Sequence, residues 1–423
     1  MAMNWLARLA CKAPVPIYPA IGRDALDQVQ DWSLDARLQW VRSPRQARIL
    51  LVAGEMMPDA HPALRRIHDQ LPAPAVTLWW RCTPLDELAD RAIVVEDIEQ
   101  LGALACEGYR SLLLNERHGE SPLCADKPPA PWEGLGEHGQ GGEGMMGGKP
   151  YGRPMAMTSD DLRDGLELDP LAFSVGPFWP VLAPGLSAHF VLHGDVVAEL
   201  DITSMPCPVE LPAPFGQALQ QPVAIADLEM ARARYHLRRL GHSMWINGLE
   251  SASQAVLRRI PTLQPGDSIE PWRRWLRRLG FFVSAGADKG KLSSDQAERL
   301  GGPAARAAGL ALDARVHDRE YRKLGFEPIC RRSGTCRARW QQWLDEAAQS
   351  LNLAARADST GAKTSQTELI ESPRGIVQHG RAPEDASSIL CDLLPGLEWS
   401  EAIATIASLD LAAVAEPADR ESS

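Results

Sequence analysis

Cysteine, histidine and arginine are the residue types whose spacing bears on chemistry here. Eight cysteines stand at 11, 82, 106, 124, 207, 330, 336 and 391, and no two have C-x-x-C spacing. That excludes a zinc ribbon, a thioredoxin-type redox motif and a ferredoxin-type cluster run. Cys330 and Cys336 are the nearest pair, among Arg331, Arg332 and Arg337, whose charge would favour a thiolate. A reactive or disulfide-forming pair is one reading, and two unpaired surface thiols is the simpler one. His61 and His68 are two helical turns apart, but nothing in sequence offers a third metal ligand. There is no G-x-S-x-G elbow, Walker A loop or strand-anchored G-x-G-x-x-G. The residues supply no catalytic constellation and no metal site.

Arginine is the informative residue. Residues 232–278 hold ten arginines against Glu250, Asp267 and Glu270, a local surplus of seven. Trp272, Trp275, Leu276 and Leu279 follow i, i+3, i+4, i+7, with Arg273, Arg274, Arg277 and Arg278 on the opposite face. One reading packs the Trp/Leu stripe on the protein's own core and leaves the arginines solvated. The other makes those four arginines a docking face for an acidic partner chain or anionic headgroups. Over the whole chain 44 Lys+Arg face 55 Asp+Glu, a net charge of −11, which argues against nucleic acid.

The elements that must position these residues divide into two halves. With 423 residues, 45% of them hydrophobic, the chain has material for two or three domains. RILLVAG (48–54), AVTLWW (75–80) and RAIVV (91–95) read as buried strands, each followed by a helical pattern. That alternation predicts a small parallel α/β domain over residues 1–124. Residues 125–160 are rich in Gly and Pro and read as a linker. The remainder, 161–423, opens with a hairpin over 186–202 turning at Gly194-Asp195. It continues as helices over 226–357 and ends in a β/helix tail over 367–412. Residues 227–260 predict one or two helices ended by Pro261, Pro271 opens another, and Ser293 with Gln296 forms a capping box. Residues 337–356 predict a long helix with a largely polar face. Pro170 to Gly194 lacks Asp, Glu, Lys and Arg, but four prolines within it exclude a membrane helix. The short apolar run at the N-terminus does not read as a secretory signal, and the scattered cysteines fit a reduced, cytoplasmic setting.

The order of these segments resembles two components of respiratory complex I. SPRQARILLVAG (43–54) and PALRRIHDQLPAPAVTLWWRC (62–82) resemble the 20-kDa type, the homologue of the hydrogenase small subunit. That family holds an iron–sulfur cluster through four cysteines, of which only Cys82 has a match, so the resemblance implies a lone vestigial ligand. The second half resembles the 49-kDa type, the homologue of the nickel–iron hydrogenase large subunit. The blocks are VGPFWPVLAPGLSAHFVLHGDVVAELD (175–201), GGPAARAAGLALDAR (301–315), YRKLGFEP (321–328), WLDEAAQSLNL (343–353), SPRG (372–375) and EAIATIASLD (401–410). The family's quinone-head histidine is Trp179 here, the Tyr and H-R-G of the next element are missing from 203–216, and no C-x-x-C pair remains for nickel.

The resemblance implies a degenerate fusion: a flavodoxin-like, doubly wound parallel-sheet domain, a Gly-rich linker, and a mainly helical domain of hydrogenase-large-subunit type. It implies an atypical subunit of a complex-I-like, group-4-hydrogenase-related membrane complex, mainly structural or coupling and not catalytic on its own. No resident cofactor is expected, since the iron–sulfur and nickel ligands are missing. Phe178 and Trp179 take vestigial quinone-cleft positions. The implied partners are antiporter-like membrane subunits, with the chain peripheral on the cytoplasmic face of the inner membrane. The alternative is an active quinone-reactive subunit receiving electrons from a partner.

Overall fold

The computed structural model describes residues 2–125, 170–284, 289–365, 367–378 and 387–411. The linker read over 125–160 falls almost wholly outside them.

The first half runs α1 (Ala2–Ala10), β1 (Val15–Ile21), α2 (Leu26–Trp32), β2 (Leu38–Trp40), β3 (Ile49–Ala53), α3 (His61–His68), β4 (Val76–Trp80), β5 (Ile93–Val94) and α4 (Leu101–Leu113). The strands are all parallel, in the order β2-β1-β3-β4-β5. Every residue of β3 and β4 is buried, because helices cover both faces of the sheet. On one face Val29 and Trp32 of α2 and Leu101, Ala105 and Leu112 of α4 pack on Ile17, Leu51 and Leu78. On the other, Leu64 of α3 packs with Leu50, Val52 and Trp79. Sequence periodicity missed β1. Its Pro16 and Pro19 look like strand breakers, yet it lies between β2 and β3.

The second half begins with the antiparallel sheet β6 (Pro170–Val175), β7 (Ser187–His193) and β8 (Val196–Ser204). Gly194, at φ +60°, supplies the turn between β7 and β8. Then follow α5 (Ala213–Ala218), α6 (Ile225–Ile246), α7 (Glu250–Arg259), α8 (Glu270–Arg278), α9 (Phe281–Ser284), α10 (Ser294–Leu300), α11 (Gly302–Ala307), α12 (Arg319–Lys323) and α13 (Cys336–Thr360). The hairpin β9 (Leu369–Ser372) and β10 (Gly375–Gln378), α14 (Ser387–Leu393) and α15 (Trp399–Leu409) complete it. The Ser293–Gln296 capping box is formed, and Pro271 lies in the first turn of α8. Among the described residues the chain combines a parallel α/β half with a mainly helical half.

Helices α6 and α13 pack along each other and form the spine of the second half. Leu237, Leu240 and Met244 of α6 meet Trp340, Trp343, Leu344 and Leu351 of α13. The largely polar face expected of residues 337–356 is present on α13, and part of it is buried. The polar residues Arg339, Gln342, Glu346 and Ser350 are themselves buried, between 0% and 1% exposed.

The halves are joined by apolar and ionic contacts. The Phe178 side chain completes the α3-covered face of the first sheet, and its carbonyl accepts a hydrogen bond from the Tyr18 hydroxyl at 2.9 Å. Arg238 pairs with Asp31 at 2.7 Å and Arg239 with Asp27, tying α6 to α2. Asp24 accepts from the Glu210 amide at 2.8 Å. Arg42 lies over the Trp245 ring, 4.9 Å from its centre.

Phe178→Ala leaves a hole where one half plugs the other, so it should destabilise the protein by about 3–5 kcal/mol. Denaturant unfolding followed through both halves checks this. The expected result is that the first half loses its midpoint most.

Candidate functional site: a buried ion network

The helical pitch brings polar residues of α6 and α13 onto facing stripes. On α6 they are Glu229, Arg232 and His236; on α13 they are Gln342, Glu346 and Ser350. All six are 0% or 1% exposed. Three further segments reach into the seam: α11 with Arg306, the loop after it with Asp313 and Arg315, and β9 with Glu371.

Arg306 is the centre. Its Nε and Nη2 donate to the two Glu346 oxygens at 2.7 and 3.0 Å, a bidentate pair. Its Nη1 donates to Glu371 Oε1 at 2.7 Å and to the Leu312 carbonyl at 2.8 Å, with Asp313 Oδ2 at 3.2 Å. Arg315 donates to Asp313 at 2.7 and 3.0 Å and to Glu229 at 3.2 and 3.3 Å, and lies 4.1 Å from the Phe326 ring centre. Glu229 also accepts from the Tyr321 and Ser350 hydroxyls at 2.7 and 2.6 Å. Arg232 donates to the Glu371 and Ser372 carbonyls at 2.6 and 2.8 Å, fixing β9 against α6.

Burial alone would raise the carboxyl pKa values. The adjacent arginines overcome it at Glu346, which is held well below the usual carboxylate range, and at Glu229 and Asp313, which are also lowered. Glu371 goes the other way: burial and the nearby Asp313 carboxylate raise it. His236 lies 3.2 Å from Glu346 but off the line of a hydrogen bond. Burial lowers its pKa and keeps the ring neutral, against the pull of Glu346. The network can hold charge in fixed positions, and its arginines donate to its own carboxylates and to nearby backbone carbonyls.

Residues 267–379 match the family model described as respiratory-chain NADH dehydrogenase, 49 Kd subunit. This stretch carries a domain of that type. It runs from α8 to β10 and holds Arg306, Asp313, Arg315, Tyr321, Glu346, Ser350 and Glu371. Glu229, Arg232 and His236 lie upstream of it, so the 49-kDa-type block closes its ion network with a helix outside the matched span. No curated protein matches the chain.

The sequence-read candidates lie elsewhere. Cys82 is half-buried just after β4, with its Sγ 3.5 Å from the Val52 carbonyl, and burial pushes its thiol up to about 12. A cluster of the resembling type is held by four cysteines, and Cys82 is the one that has a match. Among the described residues no group of three or more His, Cys, Asp or Glu is arranged to hold a metal. Phe178 is buried in the first half's core, whereas the half-buried Trp179 stacks on Trp399 of α15 at 6.0 Å. The two neighbours therefore serve different cores.

The four-arginine face is reduced to three. Arg273 is partly buried and pairs with Glu270 at 3.0 Å and with Asp345 of α13, in the wall of an open groove of about 450 Å³. Arg274, Arg277 and Arg278 are exposed, and so is Leu279, which was expected on the core face. Arg232, Arg238 and Arg239 are also paired internally, so much of the local basic surplus is neutralised inside the protein. Cys330 is exposed but Cys336 is buried, and burial raises both thiols, Cys336 to about 11. The flanking arginines thus produce no thiolate. His68 is buried and bonds Asp69 at 2.8 Å and Glu120 at 3.1 Å, a structural role.

Sequence reading missed the network as a site. Arg306, Asp313, Arg315 and Glu346 stood in the resembling blocks as charged residues inside largely apolar runs, and that was the available signal, whereas Glu229, Arg232, His236 and Glu371 lie outside those blocks.

Arg306→Met leaves three carboxylates facing one another without water. It should cost about 3–5 kcal/mol, measured by denaturant unfolding. Burial pulls the His68 pKa down, but the bonds to Glu120 and Asp69 raise it overall. Its stabilisation is therefore complete below about pH 6.5 and is lost as pH rises through the raised folded-state value. The difference in midpoint between wild type and His68→Gln should shrink over that rise.

Proposed function

We propose that the chain is an atypical subunit of a complex-I-like membrane assembly, mainly structural or coupling in role, with no resident iron–sulfur cluster or nickel centre. The observation that carries this reading is the 49-kDa-type domain at residues 267–379, whose buried arginines and carboxylates are spent on one another. A side chain committed to an internal ion pair is a poor candidate for moving protons or holding a substrate. In this reading the first half derives from the 20-kDa type. The parallel order β2-β1-β3-β4-β5 supports that, as does Cys82 immediately after β4.

The partners would be antiporter-like membrane subunits, with the chain peripheral on the cytoplasmic side. No helix among the described residues is long and apolar enough to cross a membrane. The docking face is the exposed edge of α8. Arg274, Arg277 and Arg278 have no ion-pair partner among the described residues, and like charges at i, i+3 and i, i+4 repel. Acidic loops of a neighbouring chain would relieve that repulsion.

Charge reversal at Arg274, Arg277 and Arg278 should release the polytopic subunits from the tagged chain in detergent extracts and leave its thermal midpoint unchanged. Arg273 is omitted because it holds Asp345. Retained co-purification at ordinary salt contradicts the docking face. A stoichiometric reducible iron signal from the purified chain contradicts the structural role.

A further inference from the structure

Helix α1 presents an unusual outer face. Positions 5, 8, 9 and 12 follow i, i+3, i+4 and i+7, and they are Trp, Arg, Leu and Lys. All four are exposed, Trp5 by 58% and Leu9 by 54%. Lys12 stays in register because its amide bonds the Leu9 carbonyl at 3.0 Å. The inner side, with Ala7, Ala10 and Cys11 half-buried, rests on α4.

The charge of this segment differs from that of the whole chain. Against an overall −11, no Asp or Glu precedes Asp24, and Arg8 and Lys12 have no ion-pair partner among the described residues. A helix made for a protein groove would carry apolar residues at all four anchor positions. Here two of the four are long cations that can reach past the apolar pair, and the indole has an apolar body with a polar N–H. Apolar residues interleaved with Arg and Lys on one face suit the plane where acyl chains meet phosphates.

We propose that α1 is a reversible anchor for an anionic lipid surface, with Trp5 and Leu9 entering the acyl boundary and Arg8 and Lys12 meeting phosphate oxygens. The surface belongs to the first half and makes no use of the α8 edge. Two basic residues at such a surface predict a preference of about 30-fold for anionic over neutral bilayers.

The test is sedimentation of the purified full chain with phosphatidylcholine vesicles, with and without phosphatidylglycerol. The wild type should bind the anionic vesicles about 30-fold better than the neutral ones. The Trp5→Ser, Leu9→Ser double variant should lose at least about tenfold of that binding, and the Arg8→Gln, Lys12→Gln variant should lose the anionic preference. These side chains face solvent, so thermal midpoints should not move. Failure of the wild type to sediment overturns the proposal. So does wild-type binding by either double variant, which would assign the lipid contact to another surface such as Arg274, Arg277 and Arg278. The vesicles contain no other protein, so the outcome is separate from whether α8 docks on one.

Discussion

Arg306 is a guanidinium with no access to water, and the second half of the molecule is arranged around neutralising it. Its partners come from three separate places in the chain: Asp313 after α11, Glu346 on α13 and Glu371 on β9. Removing such ions from water costs several kcal/mol each, so the cluster adds little net stability. What it adds is intolerance of alternatives. Any arrangement that places one of these segments elsewhere leaves a buried charge alone. Arg315 and Arg232 extend the same constraint to Glu229 on α6 and to the backbone of β9.

The cluster holds three guanidiniums, Arg232, Arg306 and Arg315, against four carboxylates, Glu229, Asp313, Glu346 and Glu371. With His236 neutral, one negative charge is in excess. Burial and Asp313 raise Glu371 alone among the four, so the excess is relieved there first. The apolar residues of α6 and α13 seal the seam on either side. They keep the dielectric low, which makes the pairs strong and a missing partner costly.

Much of the fold was legible in the sequence, for reasons that differ by element. The continuous apolar runs of β3 and β4, the turn at Gly194 and the capping box at Ser293 are local signals, and they formed as read. β1 was hidden because Pro16 and Pro19 argue locally against a strand that tertiary pairing nevertheless makes. The polar face of α13 was legible but its burial was not, because periodicity shows that polar residues share a face but not what they face. The arginine-rich stretch misled similarly. Its charge surplus is real in sequence, yet the acids that cancel it, Asp27, Asp31 and Asp345, lie far away in the chain.

The buried ions should make α6, α13 and β9 one cooperative unit. Native-state hydrogen exchange tests this most directly, because it reads the opening energy of each segment separately. Amides near Arg232 and His236, near Glu346 and at Glu371 should all exchange at the global unfolding energy and shift together in Arg306→Met. Fast, local exchange at β9 with α6 and α13 still fully protected would contradict it.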